Sequence, residues 1–263
     1  MSTPVACWAS QRRHETYLNG INMEDRMMQG VAVEEIRQLV AVIDYSEVLN
    51  ITASEEDVRA ACRAARNYRF RAVVAFPQYL GILVDELKDS GVRAQIPVGF
   101  PCGGTTTHVK CLEAEEGLRR GATDLDMVMN IAAFKAGDYG RVARDISEIM
   151  AVARPFHVPF KVIIEIGVLT EAEKVTAAKL VLDSGADFIK TCTGFGPGRA
   201  TLHDIGLIKE TVGTGIGIKA SGGVASIEDG VALRRAGATV VAMRHFLVEQ
   251  LEGLDWQIAL PPG

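Results

Sequence analysis

The chain has 263 residues, 48% hydrophobic and 23% charged, which excludes a disordered or fibrous protein and fits one large α/β domain or two small ones. A net charge of -5 with no long basic run argues against nucleic acid as a partner, while a local positive pocket could still take a small anion. The opening residues hold no signal-peptide core and no apolar run could span a bilayer; five scattered cysteines without C-x-x-C spacing read as reduced thiols, so a cytoplasmic protein with no membrane partner is expected.

Residues 1–38 lack any strand pattern and are expected to form a short N-terminal helical extension, with residues 39–263 as a single domain. From there, unbroken apolar runs recur at 39–44, 71–76, 93–100, 125–130, 160–166, 187–190, 215–220 and 239–243. Runs of this kind suit strands buried on both faces, as in a parallel sheet covered by helices. Helical patterns lie between them. One starts at Ser54 with a capping box to Asp57, and another at Thr170 with Glu173 three residues on. Helix stops fall at Gly121, Gly185, Gly213 and Gly237. Three stretches, "RRGATDLDMV", "DSGADFIKT" and "RAGATVVAM", share the order helix end, Gly-Ala-Thr/Asp, strand. Eight strands alternating with helices predict a (β/α)8 TIM barrel; a doubly wound open sheet is the alternative, but no G-x-G-x-x-G opens a helix after the first strand.

Catalytic groups of a barrel sit at the C-terminal ends of its strands. In strand order these are Asp44; the loop "GFPCGGTTTH"; Asp126; Glu165; Lys190 with Thr191 and Thr193; Lys219 with Ser221, Gly222 and Gly223; then Arg244 and His245. Lys190 and Lys219 could simply neutralise the acids. They could also be chemical: desolvation or a second cation lowers a lysine pKa and frees the lone pair to form an iminium with a carbonyl substrate. Asp126 alternates with Leu125 and Met127, so it faces either the barrel interior or the helix layer. Glu165 could be a structural partner. The five histidines show no metal-ligand spacing, and no metal or other cofactor is expected; His108 reads as a loop histidine. Cys192, between two threonines, does not read as a nucleophile. The glycine-rich stretches "TGFGPG" and "ASGG" expose backbone N–H groups that can cradle a phosphate, and Arg244 could add a bidentate contact.

"GADFIKTCTGFG", "GIKASGGV" and "GATDLDMVMNIAAFKAGDY" resemble the deoxyribose-phosphate aldolases, class I Schiff-base enzymes on a (β/α)8 barrel, and the resemblance runs from about Ile43 to Ala242. It implies Lys190 as the Schiff-base lysine, Lys219 as the lysine that tunes it, and Asp126 as the carboxylate of the proton relay. It further implies substrate-binding roles for Asp44, Thr191, Thr193, Gly222 and Gly223, with Arg244 added at the altered eighth loop. The implied reaction splits 2-deoxyribose 5-phosphate into acetaldehyde and glyceraldehyde 3-phosphate. The sequence departs from the family in three places. "DYSEVLNIT" stands for a "DHTLLKP" motif, "EIG" for "ETG", and "VAMRHFLVE" for a serine-containing phosphate loop. These departures leave open another phosphorylated ketose or a keto acid as substrate. A non-enzymatic sugar-phosphate binder is the alternative of a different class. Helices rich in small residues could also join copies of the chain into a homo-oligomer.

Overall fold

The computed structural model describes residues 31–254. Eight parallel strands close into a barrel in sequential order, which removes the open sheet from consideration. They are β1 (Ile43–Ser46), β2 (Ala72–Val74), β3 (Arg93–Val98), β4 (Asp124–Val128), β5 (Phe160–Ile163), β6 (Phe188–Lys190), β7 (Gly217–Ala220) and β8 (Val240–Met243). Each of the eight expected runs overlaps one strand, and each strand is shorter than its run; β1 runs on past its run to Ser46, and β4 starts one residue before its run, at Asp124. The largest difference is at the first. Leu39 and Val40 belong to a helix, α1 (Val33–Val40), and the strand begins only at Ile43. The boundary expected at residue 38 therefore falls inside α1, whose Ile36, Leu39 and Val40 are buried in the apolar core between strands and helices. Residues 1–30, where the rest of the expected extension lies, are outside the described residues.

Strand alternation divides the barrel residues into two sets. Ile43, Tyr45, Val73, Ile96, Leu125, Met127, Val162, Ile189, Ile218 and Val241 join the apolar core under the helices. The residues between them turn inward, and among these Asp44, Gln95, Asp124, Asp126, Lys161, Lys190 and Lys219 are buried. The interior thus holds a contiguous ionic group, with Val74, Val128, Ile163 and Val240 as its apolar inward neighbours.

The repeated Gly-Ala-Thr/Asp order has a structural cause. Gly121, Gly185 and Gly237 have φ of 101°, 76° and 122°, values that an L side chain rarely adopts. The third residue of each copy then accepts an N–H from the first or second residue of the preceding strand. Thr123 Oγ1 takes Ala94 N–H at 2.9 Å, Asp187 takes Phe160 N–H at 2.8 Å, and Thr239 Oγ1 takes Ile218 N–H at 3.0 Å. Thr or Asp recurs because the base of each of these strands needs an acceptor. Both expected capping boxes form, Ser54 with Asp57 and Thr170 with Glu173.

Candidate active site

Asp126, on β4, faces the barrel interior and is fully buried. Its Oδ2 receives Lys190 Nζ from β6 and Lys219 Nζ from β7, each at 2.7 Å. The register places the two lysines side by side on neighbouring strands. Its Oδ1 is held by the Gln95 amide of β3 and lies 3.3 Å from Lys161 Nζ. Asp44 of β1 sits 2.6 Å from Lys219 and 2.5 Å from the Arg71 guanidinium. Below, Asp124 pairs with Arg71 at 2.7 Å and with Lys161.

These contacts set the charge states. Burial is the strongest influence on Lys190 and pulls its pKa down to about 8; Lys219 adds to the fall, while Asp126 and Asp44 resist it. Burial also pushes Lys219 down, but Asp126 and Asp44 outweigh it and hold the pKa above the ordinary lysine value. For Asp126 burial is outweighed by Lys190, Lys219 and Lys161, which keep it well below the usual carboxylate range. Two lysines on one carboxylate therefore diverge: one is a fixed cation and the other gives up a proton near neutrality. Lys190 is also the one with a side chain 5% exposed, against 0% for Lys219. The geometry offers a substrate a single amine that is both reachable and able to be neutral.

The other expected residues are placed as follows. Thr191 Oγ1 donates to Ser221 C=O at 2.7 Å and accepts Ser221 N–H at 2.9 Å, tying the ends of β6 and β7 together. Thr193 donates through N–H, at 3.0 Å, and through Oγ1 to buried Glu165. Both hydroxyls are committed to protein partners. Glu165, in left-handed backbone with φ 53°, is thus a brace between the loops after β5 and β6. Gly222 and Gly223 follow β7 with φ of 97° and 71°, and a Cβ on Gly223 would come 2.6 Å from Arg199 Cβ. Arg244 is the first residue after β8 and half-buried. Its charge acts on Tyr45 and Glu47 at the end of β1. His245 is exposed beside Phe246. His108 is exposed in the first turn of a helix, Thr107–Arg119, rather than in a loop. Burial pushes the Cys192 thiol up to about 12, which leaves it protonated and a poor nucleophile.

The sequence reading passed over Lys161, Asp124, Arg71 and Gln95. The signal was present: Asp124 and Asp126 are two apart, so they share a face, and Lys161 interrupts the apolar run "FKVII".

A family model described as DeoC/LacD family aldolase matches residues 29–243. The chain belongs to this family. It is therefore an aldolase, a carbon–carbon lyase. The deoxyribose-phosphate aldolase of Caldanaerobacter subterraneus subsp. tengcongensis is 40% identical over 78% of this chain and 89% of its own length. That of Thermococcus gammatolerans is 44% identical over 74% of this chain and 88% of its own. Among solved structures, a tetrameric deoxyribose phosphate aldolase from Aeropyrum pernix superposes with a TM-score of 0.76 at 28% identity, over 84% of this chain and 96% of the other. Every strand of the barrel lies within the matched residues, and among the described residues no helix is long and apolar enough to cross a membrane.

Proposed function

We propose that the chain is a class I aldolase that cleaves and forms 2-deoxyribose 5-phosphate through an iminium on Lys190. The observation that carries this reading is the Lys190–Asp126–Lys219 set, in which Lys190 alone is both reachable and lowered to about 8. In the cleavage direction the free amine of Lys190 attacks the aldehyde carbon. Loss of water then leaves a protonated iminium. A base takes the proton of the C3 hydroxyl, the C2–C3 bond breaks, and its electron pair flows into the iminium to give an enamine and glyceraldehyde 3-phosphate. Protonation of the enamine carbon and hydrolysis release acetaldehyde and restore the amine. To Asp126, bonded to both lysines, we assign the relay of these protons. Lys219 stays charged and keeps Lys190 from recapturing its proton.

The relatives named deoxyribose-phosphate aldolase support the substrate. We assign its phosphate to the positive-φ turn at Gly222–Gly223 and to the half-buried Arg244 after β8. Tyr45, Ser46, Glu47 and Arg244 depart from the family pattern on one side of the mouth, which favours a second reading in which the same amine works on another phosphorylated ketose or a keto acid. The tetrameric relative supports a homo-oligomer, and the free thiols Cys62 and Cys192 fit a cytoplasmic setting.

The test is borohydride added with substrate, followed by peptide mapping. A reduced adduct on Lys190 is expected; an adduct on another lysine would overturn the assignment. The rate should survive exhaustive chelation, because the iminium supplies the electron sink that a metal otherwise would. kcat/KM should rise with pH and level off above about 8 as Lys190 loses its proton. A panel of deoxyribose 5-phosphate, phosphorylated ketoses and keto acids separates the two substrate readings.

A further inference from the structure

Below the Lys190–Asp126–Lys219 set lies a second ionic layer that the aldolase reaction does not itself require. Lys161 Nζ, fully buried on β5, touches Asp124, lies 3.3 Å from Asp126 Oδ1 and 3.9 Å from Asp44 Oδ2. Arg71 bridges Asp44 and Asp124 from the barrel floor, with its side chain 14% exposed. The Phe188 ring closes the layer from the side: Arg71 lies 5.5 Å and Lys161 5.6 Å from its centroid. Gly217 makes room for that ring, since a Cβ there would meet Phe188 at 2.3 Å.

The charges around Lys190 can be counted from every strand that faces it. Asp126 and Asp124 come from β4, Lys161 from β5, Lys219 from β7 and Asp44 from β1; Arg71 precedes β2, and Gln95 of β3 is neutral. Together with Lys190 this makes four cations and three carboxylates in one buried, contiguous network. A buried network cannot share a surplus charge with water, so it sheds one proton where solvent reaches it. Lys190 is that place.

We propose that Lys161, with Asp124 and Arg71, is a positioning and charge-setting residue for the Schiff-base lysine: it fixes Asp126 from below and supplies the surplus positive charge that makes Lys190 the group to deprotonate. The inference rests on the assignment of Lys190 as the reacting amine. Lys161 touches no substrate; it acts through Asp126.

The charge count predicts opposite effects from neighbouring residues. Lys161→Met removes a cation and leaves Asp126 with one fewer counter-charge; both effects favour protonated Lys190. Asp124→Asn removes an anion of nearly the same shape and favours the free amine. The experiment is the pH dependence of kcat/KM, and of borohydride trapping with substrate, for the wild type, both single variants and the double variant. The acid limb should move up by about one pH unit in Lys161→Met and down by about one in Asp124→Asn. In Lys161→Met/Asp124→Asn, which loses one charge of each sign, it should return close to the wild-type position. A network that only held the barrel together would lower the rate in all three and leave the limb in place. Limbs that stay put, or move the same way in both single variants, overturn the proposal. Should Lys161→Met fail to fold, the downward shift in near-isosteric Asp124→Asn, and its reversal in the double variant, still decide it. Trapping separates the two claims. An adduct on Lys190 with an unmoved limb sinks only the role of Lys161, whereas an adduct on another lysine sinks the assignment of Lys190.

Discussion

Two buried ionic groups flank β4 on opposite faces. Inside the barrel stands the network around Asp126. Outside, under the helices, Lys110 of the Thr107–Arg119 helix pairs with Asp145 at 2.6 Å and donates to Val128 C=O at 2.9 Å. Both lysine environments are buried, and burial lowers Lys110 as it lowers Lys190. The difference is in balance and access. The outer pair has one charge of each sign, with Thr107 on the second carboxylate oxygen and side chains 0% and 1% exposed. The inner network carries a surplus cation and opens at Lys190. A balanced, sealed pair is a fastening; an unbalanced one that meets solvent is a reactive group. Burial and a shifted pKa alone do not separate the two.

The hardest test of that contrast removes each lysine in turn. Lys190→Ala should drop turnover about 10⁴-fold or more, to background, while thermal unfolding stays close to wild type, because the network loses only its surplus charge. Measurable turnover with an intact iminium adduct would break the comparison. Lys110→Met should do the reverse. It leaves Asp145 buried without a counter-charge, at a cost of about 3–5 kcal/mol in a denaturant titration. Replacing both partners, Lys110→Met/Asp145→Leu, should restore most of that loss, as expected of a pair whose worth lies in satisfying itself. Folded Lys110→Met should keep its acid limb near pH 8.

A third kind of charge sharpens the contrast further. Arg244, after β8, is half-buried at the mouth and makes no ion pair among the described residues. If it grips the substrate phosphate together with the Gly222–Gly223 turn, Arg244→Ala removes a charge-assisted contact of roughly 1.5–3 kcal/mol. KM for the phosphorylated substrate should then rise about 10- to 150-fold, with little change for the unphosphorylated analogue. Equal, small effects on both would make the altered eighth loop a packing change.

The sequence made the barrel legible because its strands are buried on both faces and its helices carry capping boxes and terminal glycines. It made Lys190, Lys219 and Asp126 legible because each interrupts or ends an apolar run. What it hid was pairing. Lys161 interrupts its run just as plainly, but its meaning depends on Asp126 standing opposite it across β4 and β5, a register no single segment reveals. The protein partners of the Thr191 and Thr193 hydroxyls were hidden for the same reason. Their partners, the Ser221 backbone and Glu165, lie 30 and 28 residues away in sequence. The first strand began late because Leu39 and Val40 are as apolar as strand residues, yet in α1 they complete a buried face with Ile36.

The smallest expected effect lies at Glu47, beside the Arg244 charge. Burial, aided by Asp57, raises its pKa to about 6, while Arg244 and Asn50 pull the other way. A carboxyl whose folded pKa lies above its unfolded value of 4.5 binds its proton more tightly in the native state, so its contribution to stability falls as pH rises through that interval. Above about pH 6 the native state carries the full penalty. Glu47→Gln should therefore stabilise the protein at pH 7 by no more than about 1 kcal/mol, since partial exposure screens the charge, and have almost no effect below pH 4.5. The same change frees Arg244 of a nearby anion, and KM for the phosphorylated substrate at pH 7 should fall by about two- to threefold. Paired melts at pH 4 and 7, with KM measured at the higher pH, check both. A gain in stability equal at the two pH values would assign Glu47 to packing and detach it from Arg244.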